Sequence, residues 1–352
     1  MDRREFLAST GGVAVAAAAS IPAAQAETPR SGPASGGSQV LRMAMPWADT
    51  PQGPADSVRR LAQRFEAMTG GRYSIELGAS GSPDGADLVH TSPHDFAERH
   101  PAFAYFGGLP GPTGLDARDF SHWLTTGGGQ MLWDDLAATQ GWKPLLAGHL
   151  GGSPPLWSHE PIKRAADLAG ASVAVPGLGA AVAQALGADP LALGPDAALG
   201  ALADGRVRAA EAGGLLTSLG LGAGRIARHA TGDGFNGRGT TLALHVRLDT
   251  WERLGAADQA ILAAAAAEEF HASYAEQRAH ERIARETLAT AFGVTFAPWP
   301  SDIAEALARV AEANVAHVAG TAAHAARIDH SYMAFRSAVS GTAVPRRTRP
   351  IA

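Results

Sequence analysis

Short apolar strands alternate with helices along two separate stretches of this chain, and this alternation constrains its fold most. The first stretch, residues 39–77, places an amphipathic helix between two extended runs, with Val58, Leu61 and Phe65 on one helical face. The second stretch starts near Lys163 and repeats strand, glycine turn and helix. Such an alternation is typical of parallel sheets covered by helices. We therefore predict an α/β fold, and a chain of 352 residues is long enough to form two lobes.

The longest predicted helix is an alanine-rich segment that covers residues 256–294. At about 1.5 Å per residue it would extend roughly 50 Å, which is far enough to brace two lobes. The predicted divisions are lobe I at 39–155, lobe II at 156–240, a return strand with long helices that span and close both lobes at 241–340, and a tail at 341–352.

The connection between the strands RYSIEL and ADLVH is unusually short, because only the segment GASGSPDG joins them. A crossover between parallel strands normally needs a dozen or more residues and contains a helix. The sequence therefore leaves open how the first lobe is completed.

The N-terminus has the pattern of a twin-arginine export signal. Arg3 and Arg4 precede a weakly apolar run rich in alanine, which ends in Ala24-Gln25-Ala26. A membrane anchor is the alternative, but the apolar run is shorter than the roughly 20 residues that span a bilayer. We predict a signal at residues 1–26, a disordered linker at 27–38 and a soluble periplasmic product.

Charge and motif content exclude several classes of function. The formal net charge is −5 and no basic face with interleaved aromatic residues is present, which argues against nucleic-acid binding. The chain has no cysteine and no GxSxG, HExxH or P-loop motif, so we do not expect an enzyme. The turn Gly177-Leu178-Gly179 follows a strand, but Val182 replaces the third glycine of a dinucleotide fingerprint, which favours a plain strand-to-helix turn.

The order of the motifs resembles the periplasmic solute-binding subunits of TRAP transporters, in particular the subgroup that binds 2-oxo acids and related carboxylates. The resembling segments run from about Met43 to Arg336 and include GADLVHTSPHDFAERH, DLAGASVAVPGLGAAVAQALGADPLAL and GTTLALHVRLDTWERLGAADQAIL. The resemblance implies two α/β lobes with a ligand cleft between them and a long helix spanning both. It also implies a small organic solute and membrane permease subunits as partners, and it leaves a homodimer open.

The resemblance also assigns cleft positions. These are Trp47, His90, Thr91, His94, His149, Ser153, Ala174, Glu211, Ala212, Phe235 and Arg238. Several depart from the family pattern. Ala174 stands where the family has the arginine that grips the ligand carboxylate, and Gly237 stands where the family has a second glutamate near a bound ion. A sodium or calcium ion bound with the ligand is implied, with Glu211 as its candidate side chain.

These departures leave two functions in competition. The first is a solute receptor whose affinity for a simple carboxylate is weakened by Ala174, with Arg238 as a rescuing cation. The second is a divergent relative that acts as an interaction or sensory module with a degenerate cleft. Loss of one partner of a buried bidentate charge pair costs about 2–5 kcal/mol, which argues against tight capture of a simple monocarboxylate. The solute receptor is the leading hypothesis and the interaction or sensory module is the alternative.

Overall fold

The structure is a computed structural model that describes residues 38–47, 54–78 and 85–341. The predicted export signal, almost all of the predicted linker, most of the GASGSPDG segment and most of the predicted tail lie outside the described residues.

The strands of the described chain are β1 (Gln39–Ala44), β2 (Tyr73–Gly78), β3 (Leu88–Thr91), β4 (Trp142–His149), β5 (Leu156–Ser158), β6 (Ser172–Ala174), β7 (Asp189–Leu191), β8 (Ala209–Glu211), β9 (His229–Thr231), β10 (Thr241–Arg247) and β11 (Thr295–Ala297). The helices are α1 (Pro54–Met68), α2 (Ala104–Gly107), α3 (Ala117–Thr126), α4 (Gly129–Ala138), α5 (Gly177–Ala185), α6 (Pro195–Ala203), α7 (Leu215–Gly220), α8 (Ala223–Ile226), α9 (Leu248–Arg253), α10 (Ala256–Phe292), α11 (Ser301–Gly320) and α12 (Ala323–Ser340).

The first sheet has the order β2-β1-β3-β10-β4. Strands β1, β2 and β3 are parallel, while β10 runs antiparallel to both β3 and β4. Helix α1 supplies the crossover between β1 and β2, and it ends at Met68 before Gly70 and Gly71, whose φ angles of 63° and 77° suit glycine. The predicted β-α-β opening is confirmed.

The short connection between β2 and β3 is explained by a stagger of the strands. Strand β2 pairs with β1 from Gln39 to Ala44, whereas β3 begins beside the last residues of β1, with Leu88 opposite Met43. Strand β3 therefore starts at the end of the sheet where β2 finishes, so a connection between them does not have to run the length of the sheet. No crossover helix is needed.

The second sheet has the order β11-β9-β5-β8-β6-β7. Strands β6, β7 and β8 are parallel, and β5 runs antiparallel to β8 and β9. Helix α5 connects β6 to β7, and helix α6 connects β7 to β8. The second run of strand, glycine turn and helix therefore forms an α/β sheet, as predicted.

The chain passes between the sheets where β4 leads to β5 and where β9 leads to β10. Helix α10 is a third connection between the two lobes. Its 37 residues extend about 55 Å, and it contacts α1 and β4 of the first lobe and α7 and α8 of the second. The predicted helix that spans both lobes is confirmed.

Helix α10 is fixed to α1 by a fully buried carboxylate. Glu269 accepts hydrogen bonds from Ser57 Oγ at 2.7 Å and Arg60 Nη2 at 2.6 Å, and its other oxygen accepts one from Arg64 Nη1 at 3.3 Å. A buried charge needs such partners to be tolerated. The cluster fixes the long helix to the first lobe.

Aromatic residues dominate the core between the first sheet and the C-terminal helices. The rings of Trp123 and Trp133 stack on Phe106 with centroids 5.4 and 4.8 Å away, and all three side chains are fully buried. Leu124 and Leu136 are also buried in this core, while Leu132 is partly buried against it.

The C-terminal segment differs from expectation in one boundary. The sequence pattern over residues 302–326 is typical of a single helix, but α11 ends at Gly320 and α12 begins at Ala323 with extended backbone at Ala322. The chain turns here because Val318 and Ile328 both pack into the same core. Within the described residues, no helix combines the length and apolarity needed to cross a membrane.

Candidate functional site

A cavity of about 320 Å³ lies between the two sheets. Its walls include Trp47, which follows β1, Thr91, which ends β3, and two residues that follow strands of the second sheet, Pro176 after β6 and Gly213 after β8. Every one of these positions lies at or just beyond the carboxyl end of a parallel strand. That edge is where open α/β sheets bind ligands, because loops from several strands converge there.

His94 reaches from the first lobe to the second. It lies in a short 3₁₀ turn, Pro93–Phe96, whose preceding Ser92 accepts a hydrogen bond at Oγ from the His94 amide at 3.3 Å. A Cβ atom added at Gly177, the first residue of α5, would lie 2.2 Å from His94 Nδ1. Glycine at this position therefore allows the imidazole to pack directly on the turn of the second lobe.

The polar atoms of His94 are unusual for a buried side chain. Neither ring nitrogen has a hydrogen-bond partner among the described residues. Burial lowers the pKa of His94 to about 4, so the ring is neutral near pH 7. A buried polar group without a partner costs about 1–3 kcal/mol, so the unpartnered ring of His94 lowers the stability of this contact between the lobes.

Asp95 and Arg99 follow His94 in the cavity wall. Thr91 Oγ1 donates a hydrogen bond to the carboxylate of Asp95, and burial, reinforced by Glu98, raises the pKa of Asp95. The Arg99 guanidinium lies 5.2 Å from the centre of the Phe96 ring. Among the described residues, neither Asp95 nor Arg99 has an ion-pair partner, so both charges remain available to a solute.

His90 positions the aromatic wall of the cavity. The indole N–H of Trp47 donates to His90 Nδ1 at 3.0 Å, so the proton of His90 is on Nε2, which lies 3.2 Å from the carbonyl oxygen of Ala147. Burial lowers the pKa of His90 to about 4. His90 therefore lies behind the wall as a neutral support, and Trp47 faces the cavity.

Glu211, at the end of β8, is the acidic side chain contributed by the second lobe. It is 4% exposed and lines the cavity. Its Oε1 accepts the backbone N–H of Phe235, and its Oε2 accepts Asn236 Nδ2 at 2.8 Å. Burial raises the pKa of Glu211 to about 7, although both hydrogen bonds oppose this shift.

The donor set around Glu211 does not fit a metal ion. Ala212 and Gly237 have no ligating side chain, and both Glu211 oxygens already accept hydrogen bonds from the protein. In the described part of the chain, no group of three or more histidine, aspartate or glutamate side chains is arranged to hold a metal.

Three predicted cleft positions lie within the core of the second lobe. Ala174, Ala212 and Phe235 are completely buried, and none of them lines the cavity. The side chain of Ala174 packs in an apolar cluster with Trp157, and the ring of Phe235 lies 5.2 Å from that of Trp299.

Three further predicted positions lie elsewhere. His149 is buried against Phe270 and accepts the Gly151 N–H at 3.1 Å. Ser153 and Arg238 line a second, more open depression of about 840 Å³. The structure therefore brings together Trp47, Thr91, His94 and Glu211 of the predicted set, with His90 directly behind them.

Some residues of the cavity were not found from the sequence. They are Phe96, Arg99, Leu193, Pro195 and the network residue Asn236. Asn236 lies between two predicted positions, Phe235 and Arg238, so its neighbourhood was identified but its contact with Glu211 was not. Leu193 belongs to the loop after β7 and Pro195 is the first residue of α6, and only the sheet order reveals that this segment reaches the cleft.

Comparison with known sequences gives consistent matches. The family model described as bacterial extracellular solute-binding protein, family 7 (DctP) matches residues 48–319. A monocarboxylate 2-oxoacid-binding periplasmic protein from Nostoc sp. (strain PCC 7120) is 30% identical over 267 residues, which cover 72% of this chain and 72% of the relative.

Comparison with solved structures supports the same fold. A TRAP transporter solute-binding protein from Bordetella bronchiseptica RB50, a mixed-occupancy dimer with copurified calcium and picolinate, has a TM-score of 0.81 at 23% identity and covers 87% of this chain and 94% of its own. A second TRAP protein, from Pseudoalteromonas atlantica T6c with sodium and pyruvate, has a TM-score of 0.78 at 20% identity, over 86% of this chain and 95% of its own. The two-lobed α/β fold and the resemblance drawn from the sequence motifs are confirmed.

Proposed function

Because this chain belongs to the bacterial extracellular solute-binding proteins of family 7, we propose that it is the periplasmic solute receptor of a TRAP transporter. It captures a small organic carboxylate between its lobes and delivers it to a membrane permease. The observation that carries this proposal is the cavity between the two sheets. Its volume of about 320 Å³ lies at the lower end of the range for small-molecule sites.

A carboxylate is favoured by two independent arguments. The curated relative is named for monocarboxylate 2-oxo acids, and the Pseudoalteromonas neighbour holds pyruvate. In this chain, Arg99 is the cationic side chain among the described residues of the cavity wall, and it has no acidic partner there. Arg99 thus supplies the cation that binds the carboxylate. Position 174, where the family has an arginine, is an alanine buried in the core.

Closure of the lobes follows from the position of His94. A solute that accepts or donates a hydrogen bond at His94 touches the first lobe at the point where the ring contacts Gly177 of the second. Such a solute binds the closed arrangement more tightly than an open one and shifts the population toward it. The walls formed by Trp47, Phe96 and Leu193 accept the apolar part of the solute.

The test is a thermal-shift screen of the mature protein, from Glu27 onward, against 2-oxo acids, hydroxy acids, aromatic acids and neutral solutes. A ligand at about 100 times its Kd should stabilise the fold by about 2.7 kcal/mol. We expect a shift with one class of acid and none with the matched carboxamide. Equal shifts with the acid and its amide would contradict capture through a carboxylate.

A matched pair of variants tests the role of Arg99. Arg99→Gln should weaken binding of the acid by up to about fivefold, because Arg99 is exposed at the edge of the cavity and an exposed charge pair is worth up to about 1 kcal/mol. Arg118→Gln, whose side chain is 71% exposed on α3, serves as the control and should bind as the wild type does. Unchanged affinity in Arg99→Gln would assign the carboxylate to another partner.

We also propose export by the twin-arginine pathway, which the Arg3-Arg4 pair supports. Replacing both residues by lysine should leave the precursor in the cytoplasm, as measured by fractionation and immunoblotting. Arg30→Lys in the predicted linker is the control. Normal export of the double variant would indicate the general secretory route instead.

A further inference from the structure

Asn236 occupies a position between the cleft carboxylate and the first turn of α5. Its amide Nδ2 donates to Glu211 Oε2 at 2.8 Å and to the carbonyl oxygen of Pro176 at 2.8 Å. Its Oδ1 accepts the backbone N–H of Gly179 at 3.0 Å. One neutral side chain therefore joins β8, the segment after β9 and the start of helix α5.

The oxygen atoms that Asn236 joins are those that a hard cation prefers. Sodium and calcium are bound by carboxylate and backbone carbonyl oxygens, and here Glu211 Oε2 and Pro176 O both accept N–H groups from one amide instead. The other Glu211 oxygen accepts the Phe235 N–H.

Glycine residues pack closely on two sides of the network formed by Asn236 and Glu211. A Cβ atom added at Gly179 would lie 2.6 Å from Asn236 Oδ1. On the other side, a Cβ atom at Gly234 would lie 2.7 Å from Glu211 Oε1. Asn236 is 1% exposed, so the network is closed within the protein.

We infer that the Asn236 amide takes the place of a bound cation, and that this chain organises its cleft and binds its solute without sodium or calcium. Only the part of the inference that concerns solute binding rests on the proposed function. It distinguishes this chain from its structural neighbours, which are described with calcium and picolinate or with sodium and pyruvate. Asn236 is a positioning residue, because it acts through Glu211 and the α5 turn.

The first experiment measures the melting temperature of the mature protein in choline chloride with a chelator, and then with added calcium, sodium or magnesium at matched ionic strength. The wild type should respond to calcium and sodium no more than to magnesium. Asn236→Asp should melt lower in chelator, because two carboxylates then face each other, and calcium should restore several degrees. Gln184→Glu, which adds a carboxylate on an exposed position of α5, should show no such response.

The outcomes separate this inference from the proposed function. A wild-type response to calcium as large as that of Asn236→Asp would overturn the inference, whether or not any solute binds. If Asn236→Asp does not fold, equilibrium dialysis of the wild type with calcium decides alone, and stoichiometric uptake overturns the inference.

For any acid that stabilises the wild type, the Kd values measured with and without calcium should agree within about twofold. A Kd that is tenfold lower with calcium, about 1.4 kcal/mol, would also overturn the inference. A flat solute screen together with an absent calcium response contradicts only the proposed function.

Discussion

At the scale of single residues, the cleft depends on how closely side chains approach the backbone of the opposite lobe. His94 lies directly on Gly177, and Asn236 lies directly on Gly179. Both glycines belong to the turn that starts α5, so this turn presents backbone to one side chain from each lobe. The turn Gly177-Leu178-Gly179 is thus a packing surface, and its amide at Gly179 is already bonded to Asn236.

Gly177→Ala tests the contact between the lobes. The added Cβ would lie 2.2 Å from His94 Nδ1, and Gly177 has a φ of 61°, which an alanine rarely adopts. The lobes must separate or the turn must distort, so the variant should lose most of its ligand-induced thermal shift.

The control is Gly200→Ala in α6, where an added Cβ meets nothing within 4 Å. It should keep ligand binding and gain up to about 1 kcal/mol in stability. Wild-type affinity in Gly177→Ala would show that His94 does not meet Gly177 in the bound state.

Glu211→Gln tests the electrostatics of the second lobe. The variant keeps one acceptor for two N–H donors and should be destabilised by about 1–3 kcal/mol at pH 6. The folded pKa of Glu211 is raised to about 7, so the folded wild type loses stability as this carboxyl ionises with rising pH, while the variant does not. The difference between them should therefore shrink by about 1 kcal/mol from pH 6 to pH 8. Urea denaturation at both pH values measures it, and a difference that grows with pH would contradict the buried carboxyl.

At the scale of elements, local signals predicted the long regular pieces and the strands of the second alternation, and missed some of the short strands. The α10 helix was found because its sequence is long and alanine-rich. The three-residue strands β9 and β11 were not predicted, because three residues are too few to show a hydrophobic periodicity. These strands are defined by their pairing, of β11 with β9 and of β9 with β5. The connection from β2 to β3 was found to be short, but the stagger that makes it sufficient is a property of the sheet.

The same reasoning explains which cleft residues could be placed from the sequence. Positions next to a recognisable motif, such as Thr91 and His94, were identified because the motif order fixes their place in the chain. Ala174 was expected at the cleft and is buried behind it. Side-chain direction at the end of a strand depends on the sheet and its neighbours, and alternation over three residues does not determine it.

Glu269→Gln tests how α10 is fixed to the first lobe. Glu269 is fully buried and is bound by Ser57, Arg60 and Arg64. Loss of the charge removes the buried partner that two guanidinium groups share, so we expect the free energy of unfolding to fall by about 3 kcal/mol. The control is Glu286→Gln, which breaks an exposed pair with Arg282 and should cost less than about 1 kcal/mol. Equal effects in guanidinium denaturation would show that α10 is held by apolar contacts alone.

At the scale of the whole molecule, the distribution of buried histidines sets the response to acid. Burial lowers the pKa of His90, His94 and His149 to about 4 and that of His245 to about 3. The unfolded chain binds protons on these residues below about pH 6.5 and the folded chain does not, so each costs about 2 kcal/mol between pH 7 and 5. Glu211 acts in the opposite direction over the same range by a similar amount. The net effect should be a marked loss of stability on acidification.

His245→Phe tests this acid response. Neither ring nitrogen of His245 has a hydrogen-bond partner among the described residues, and its ring lies 4.2 Å from Phe96. Phenylalanine keeps the aromatic contact and removes one titrating group, so the variant should be as stable as the wild type at pH 7 or more so. At pH 5 it should retain about 2 kcal/mol that the wild type loses. Identical pH profiles in chemical denaturation would show that His245 does not contribute.

The central claim is that the cavity between the two sheets binds a small carboxylate and needs no added cation. The most direct measurement is a calorimetric titration of the mature protein with 2-oxo monocarboxylates in choline buffer that contains a chelator. We predict saturable binding of one molecule per chain, with the matched carboxamide giving no heat of binding. A protein that melts cooperatively but binds none of these acids, with or without calcium or sodium, would contradict the claim and favour an interaction or sensory module on the same scaffold.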